Sequence, residues 1–135
     1  MKLYNLYEHR FKSAVAIVYD GNANVLLGKA TNSGDRKGKW CFPAGGIKPG
    51  ECPGEAATRE CFEETGFNVK PQQMAFPHHL KPEVGFVVCR LIDGQMKPNG
   101  EFSELQWVPW NKILELEDLY HDVAEVLRKP IAHFP

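Results

Sequence analysis

One segment constrains the fold more than any other: the glycine-rich stretch Pro43 to Gly50 leads into Pro53 to Thr65, a run of mostly helix-compatible residues. Pro53 suits a first helical turn, where its missing N–H would have had no partner, and Gly66 suits the left-handed position just past a last turn. Both ends of a helix over Pro53 to Thr65 are therefore signalled locally. Trp40-Cys41-Phe42 stands ahead of the glycines, so the order is strand, glycine loop, helix.

Strand-like runs lie on either side. AVAIVY, Ala14 to Tyr19, is followed by the turn Asp20-Gly21-Asn22 and by Val25 to Leu27, which together predict a β-hairpin. Thr31 to Lys39 is polar, glycine-bearing and locally basic, and predicts an exposed loop. Beyond the helix, Met74 to Leu80 and Val84 to Ile92 read as strands, the second an almost unbroken apolar run that should be buried. Gly94 to Gly100 reads as a loop, Glu104 to Val108 as a strand, and Asn111 to Leu116 and Leu119 to Arg128 as short helices. Strands before and after a single long helix, with further helix at the end, predict an α/β fold with a mixed sheet flanked by helices.

The chain's 135 residues, 43% hydrophobic and 24% charged, suit one ordinary globular core, so a single domain over residues 1–135 is expected. A net charge of -1 gives no overall field toward nucleic acid or an anionic membrane, so no DNA binding is expected and an anionic substrate must be handled locally. Cys41, Cys52, Cys61 and Cys89 form no C-x-x-C pair, which argues for reduced thiols, against a structural zinc site and for a cytoplasmic protein. Polar residues such as Lys2, Asn5 and Glu8 break up the N-terminal apolar residues, so neither a signal peptide nor a membrane span is expected. A homodimer is left open.

Three acids, Glu60, Glu63 and Glu64, sit at offsets of three and four on the expected helix and share one of its faces. Like charges at this spacing oppose one another by only about 0.2–0.5 kcal/mol per pair, and a divalent cation would turn that repulsion into attraction. On a bare helix such a cluster reads as a solvated acidic face. Here the helix is entered from Gly45-Gly46-Ile47-Lys48-Pro49-Gly50-Glu51, where the backbone can approach a ligand closely. Gly45 and Gly50 also have the spacing of the two P-loop glycines. Glu51 and Cys52 follow them where a P-loop needs Lys and then Ser or Thr, so a cation must do the work of that lysine.

Gly45, five residues, Glu51, seven residues, then Arg59-Glu60-Cys61-Phe62-Glu63-Glu64-Thr65-Gly66-Phe67 resembles the Nudix box, G-x5-E-x7-R-E-U-x-E-E-x-G-U, at every fixed position. Cys61 and Phe67 depart from the usual bulky aliphatic U residues, which touches local packing and leaves the chemistry intact. The segment Trp107 to Pro109 also resembles the family. The resemblance implies an α/β/α sandwich with a central mixed sheet, in which the box forms a loop-helix-loop that binds Mg²⁺ or Mn²⁺. Carried over by position, it implies Glu60 and Glu64 as principal metal ligands, Glu63 and the Gly45 carbonyl as further oxygen donors, and Arg59 as the residue that orients the glutamates through Glu51 or Glu63.

The reaction so implied is attack of water at phosphorus in a nucleoside diphosphate linked to X, with release of a nucleoside monophosphate. The general base would be Glu60 or Glu64 within the box, or Glu101 or Glu104 outside it. Arg36 and Lys39, with Lys37, offer charge to phosphates, and Phe42 is a candidate base platform among the strand aromatics Phe11, Tyr19, Phe86 and Trp107. His78 and His79 are adjacent and would point to opposite faces of a strand, so they are not read as ligands. Two substrate classes stay open. Pro82, fifteen residues after Phe67, resembles a feature of ADP-ribose hydrolases, whereas the short chain resembles compact nucleoside triphosphate hydrolases. The alternative is a non-catalytic Nudix-like module that binds nucleotide or protein. Such domains commonly lose a metal glutamate, and all are kept here.

Overall fold

Alternation along the first strand divides the core in two. In the computed structural model, which describes residues 11–31, 34–77 and 82–127, β1 (Ser13–Tyr19) sends Ala14, Ala16 and Val18 to one face and Val15 and Ile17 to the other. β6 (Val84–Gly94) pairs with it in parallel and follows the same rule, with Val87 and Cys89 on the first face and Phe86 and Val88 on the second. Both strands are covered on both sides, which is why they read as continuous apolar runs.

Around this central pair the remaining pairings are antiparallel. β2 (Asn24–Ala30) pairs with β1, β3 (Trp40–Cys41) and β7 (Phe102–Pro109), while β5 (Phe67–Pro77) lies outside β6. The result is a mixed sheet in the order β3-β2-β1-β6-β5. α1 (Pro53–Thr65) buries Ala56, Ala57 and Cys61 against the first face. A 3-10 helix (Trp110–Glu115) and α2 (His121–Leu127) bury Ile113, Val123 and Val126 against the second. These two helical layers give the expected α/β/α arrangement.

The sheet forks at β1. β1 meets β2 only near Tyr19↔Val25, and its other end pairs instead with β4 (Ala44–Gly46) through Ser13↔Gly46, Ala14↔Gly45 and Val15↔Ala44. The first half of the glycine stretch is thus a short strand, a difference from the expected loop. It allows a closer approach of α1 to the sheet than side chains would permit. α1 spans Pro53–Thr65 as its end signals predict, with the Cys52 N–H donating to the Glu55 carboxylate at 3.0 Å. Its end is turned by Gly66 at φ 84, where a Cβ would lie 2.2 Å from the Gln95 carbonyl oxygen.

Several elements differ from expectation. β5 begins at Phe67 rather than Met74, because Gly66 turns the helix straight into a strand that buries Phe67 and Val69 and exposes Asn68 and Lys70. Pro71 hides this from the sequence, and an edge strand tolerates it. β7 starts at Phe102, the expected helix at Asn111 is a 3-10 helix, and α2 starts at His121, because Leu119 bridges to Trp40 and the Tyr120 N–H donates to the Trp40 carbonyl at 3.0 Å. His78, His79, Leu80 and Arg128 lie outside the described residues. All four cysteines are buried and unbridged, and no described helix is long and apolar enough to cross a membrane.

Candidate active site at the fork of the sheet

The acids of α1 grade from buried to exposed. Glu64 is only 5% exposed and accepts a hydrogen bond from the Ala44 N–H at 3.3 Å, so the helix is tied to β4 at the fork. Glu60, one turn earlier, lies against Gly45. A Cβ on Gly45 would stand 2.2 Å from the Glu60 carboxyl carbon, so only glycine fits there while Glu60 keeps its place. Glu63 is half exposed at the rim, 47% by its side chain.

Arg59 organises the rest as a fork. Its Nε and Nη2 donate to the two Glu51 oxygens at 2.8 and 2.9 Å, Nη1 donates to Glu60 at 2.8 Å and to Glu63 at 3.3 Å, and Nη2 also reaches the Gly46 carbonyl at 2.9 Å. Such bidentate geometry suits a guanidinium and not an ammonium. The Arg59 hydrogen bonds hold the Glu51 carboxyl below the usual carboxylate range, helped by the Lys48 N–H at 3.0 Å. Arg59 is in turn held more firmly protonated, first by Glu51. A single cation therefore joins the box loop, β4 and α1.

Glu64 has the opposite environment. Burial first, and then a hydrogen bond with Glu60, push its carboxyl well above the usual range, with the Glu60 and Glu101 charges adding to the shift. Glu64 thus favours its protonated form, and a cation bound there would displace that proton. The donors are all oxygen, and the absence of a side chain at Gly45 leaves its backbone beside Glu60, which fits a hard divalent ion. Glu60, Glu64 and the Gly45 carbonyl could hold it, with Glu63 at the rim. Among the described residues no group of three or more His, Cys, Asp or Glu forms a ready-made metal cage; Glu60 and Glu63 are here turned to Arg59. Of the two acids outside the box, Glu101 is the one whose charge Glu64 feels, while Glu104 is exposed on β7 opposite Lys29.

The proposed substrate residues are separated. The loop between β2 and β3 is mostly exposed, but Arg36 turns inward and its Nη2 donates to the Phe42 carbonyl at 3.0 Å. Lys39 is half-buried, and its carbonyl accepts from the Ala30 N–H at 3.0 Å. Phe42 and Phe86 are buried together in the second core layer and Phe11 in the first, while Trp107 packs edge-on against Phe67 at 5.3 Å. Residues with no sequence signal complete this side: Tyr120 lies beneath the Arg36 guanidinium at 5.4 Å, and Asp122 opens α2.

Comparison with known proteins agrees with this geometry. The model of the NUDIX domain matches residues 9–130. Nudix hydrolase 2 of Arabidopsis thaliana is 32% identical over 108 residues, which cover 73% of this chain and 39% of that protein. The chain spans well under half the length of that relative. Among solved structures, the MutT protein of Methanosarcina mazei Go1 superposes with a TM-score of 0.68 at 29% identity, covering 86% of this chain and 91% of that one. An ADP-ribose pyrophosphatase of Streptococcus suis shares the fold with a TM-score of 0.66 at 22% identity, covering 86% of this chain and 85% of that one. With the box complete and its acids gathered at the fork of a mixed sheet, the chain belongs to the NUDIX domain family, whose hydrolases act on phosphorus-containing acid anhydrides.

Proposed function

We propose that the chain is a Mg²⁺- or Mn²⁺-dependent pyrophosphohydrolase that cleaves a nucleoside diphosphate linked to X, a nucleoside triphosphate or an ADP-ribose-like compound, and releases a nucleoside monophosphate. The observation that carries this reading is the buried Glu64 beside Glu60 and the side-chain-free Gly45. A divalent ion bound there supplies charge neutralisation at the phosphates and acidifies an attacking water. Glu60 and Glu64 bind, Glu63 closes the rim, and Arg59 keeps Glu60 aimed while its bond to Glu51 fixes the box loop. Glu101, whose charge reaches Glu64, is favoured over Glu104 as the proton acceptor outside the box. Arg36 and Lys39 remain the cationic substrate residues, and Phe42 serves through its carbonyl, which holds Arg36.

The test is incubation with nucleoside triphosphates, ADP-ribose and dinucleotides, with and without Mg²⁺. At least one should release a nucleoside monophosphate only when the metal is present. Binding without turnover of any compound would move the reading to a non-catalytic nucleotide module.

A further inference from the structure

Glu101 is the acid outside the box whose charge reaches Glu64, and it stands exposed just ahead of β7, at the end of a loop. An exposed acid in such a place can serve a reacting water only if the backbone beneath it is fixed. The structure shows what fixes it. On one side Phe102 is buried in the first core layer, and the register of β7 on β2 shifts so that Phe102 pairs with Ala30 and Glu104 with Lys29, leaving Ser103 as a bulge. Bulges of this kind re-aim the chain at the end of a strand. On the other side the Lys97 N–H donates to the Thr65 carbonyl at 2.7 Å, which ties the loop to the end of α1.

Two polar residues grip the peptide of Glu101 itself. Its N–H donates to Asn99 Oδ1 at 3.0 Å, a local turn contact. The second grip comes from across the sheet. Thr31, the residue after β2, donates its N–H to the Glu101 carbonyl at 3.0 Å, and its hydroxyl donates to the Gly100 carbonyl, with the Glu101 carbonyl as a second acceptor at 3.2 Å. Any residue but proline at position 31 could supply the N–H. Only serine or threonine adds a hydroxyl short enough to brace two successive carbonyls beside it. Thr31 also opens the loop that carries Arg36 and Lys39, so one side chain joins the two loops that flank the candidate centre.

We infer that Thr31 is a positioning residue, whose hydroxyl braces the Gly100 and Glu101 carbonyls and so holds the Glu101 carboxylate in place beside Glu64. Thr31 touches neither substrate nor metal in this role and acts through Glu101 alone. The inference rests on the pyrophosphohydrolase reading for what Glu101 does, and one arm of its test needs no reaction. Losing the hydroxyl leaves the backbone hydrogen bond and the buried Phe102 in place, so the fold should survive while the acid loosens.

The first arm uses metal-free protein without nucleotide. The ¹⁵N order parameter of the Glu101 amide should lie near the rigid value of about 0.85 in the wild type and in Thr31→Ser, and fall toward about 0.6 in Thr31→Val. The second arm uses Mg²⁺ and whichever nucleotide the wild type turns over. Thr31→Val should lower kcat about tenfold with KM within about twofold of the wild type, and Thr31→Ser should restore most of the loss. In a Glu101→Gln background Thr31→Val should cost nothing further, because the residue it positions is gone. Asn99→Ala, which removes the acceptor of the Glu101 N–H, should loosen Glu101 and lower kcat in the same way, and it decides the matter if Thr31→Val does not fold. An unchanged order parameter, a normal kcat, a loss carried by KM, or a loss that adds to that of Glu101→Gln would overturn the inference. If the wild type turns over no nucleotide, the reaction and this role fall together; if it does and Thr31→Val matches it, only the role of Thr31 falls.

Discussion

Glu64→Gln is expected to lower turnover by about 10³-fold, equivalent to about 4 kcal/mol of transition-state stabilisation, while leaving the melting temperature unchanged or higher. The two effects have one cause. Glu64 is buried beside Glu60, and its carboxyl is pushed upward by burial and by that neighbour, so at neutral pH a neutral amide of the same shape replaces a carboxyl that is already protonated, and above the raised value it relieves a buried like-charged pair. The amide oxygen still accepts the Ala44 N–H, so the tie to β4 survives. What is lost is an anionic ligand. The sign for pH follows from the same shift. Because the raised carboxyl keeps its proton at neutral pH, a cation must displace it, and Mg²⁺ affinity in the wild type should rise as pH increases from neutral toward that raised value. In Glu64→Gln that rise should vanish. Titrations of Mg²⁺ at several pH values, with turnover and melting curves for both proteins, check this. Near-normal turnover in the variant would remove Glu64 from the ligand set.

Arg59→Ala should do damage of a different kind, costing about 2 kcal/mol of stability as well as about 10²-fold in kcat. Its partners Glu51 and Glu60 are largely shielded, with side-chain exposures of 14% and 16%, so losing the guanidinium leaves several acids crowded without a counter-charge. The contact with the half-exposed Glu63 adds little. Arg59→Lys separates charge from geometry. An ammonium restores the positive charge but cannot span both Glu51 oxygens, so stability should recover more than kcat does. Melting temperatures and kcat for the three proteins read this directly, and full recovery of kcat by lysine would mean that Arg59 acts only as a charge.

Where the fold was legible from sequence, the signal was local. Pro53 and Gly66 mark the ends of α1 because capping geometry is set within a turn, and the box acids fall on one helix because their spacing does. β1 and β6 were visible as apolar runs because both their faces are covered. Strands decided by partners were not. β4 is three residues with two glycines and exists only because β1 pairs with it, and the start of β5 is masked by Asn68, Lys70 and Pro71, which an edge strand can carry. The site divides in the same way. Glu60, Glu64 and Arg59 are readable from spacing, whereas the inward turn of Arg36 and its packing on Tyr120 depend on a loop and a helix start brought together across more than eighty residues, as the Tyr120 to Asp35 hydrogen bond between residues 85 apart records.

The central claim is that water attacks phosphorus at the fork where Glu60 and Glu64 meet β4. Reaction in ¹⁸O-water with Mg²⁺ and whichever nucleotide the chain turns over tests it most directly, by mass spectrometry of the products. The account predicts label on a phosphate-bearing product, none on the sugar carbon, and no labelled product in Glu64→Gln above about a thousandth of the wild-type yield. Label on the sugar carbon would mean glycosidic cleavage and would contradict the account.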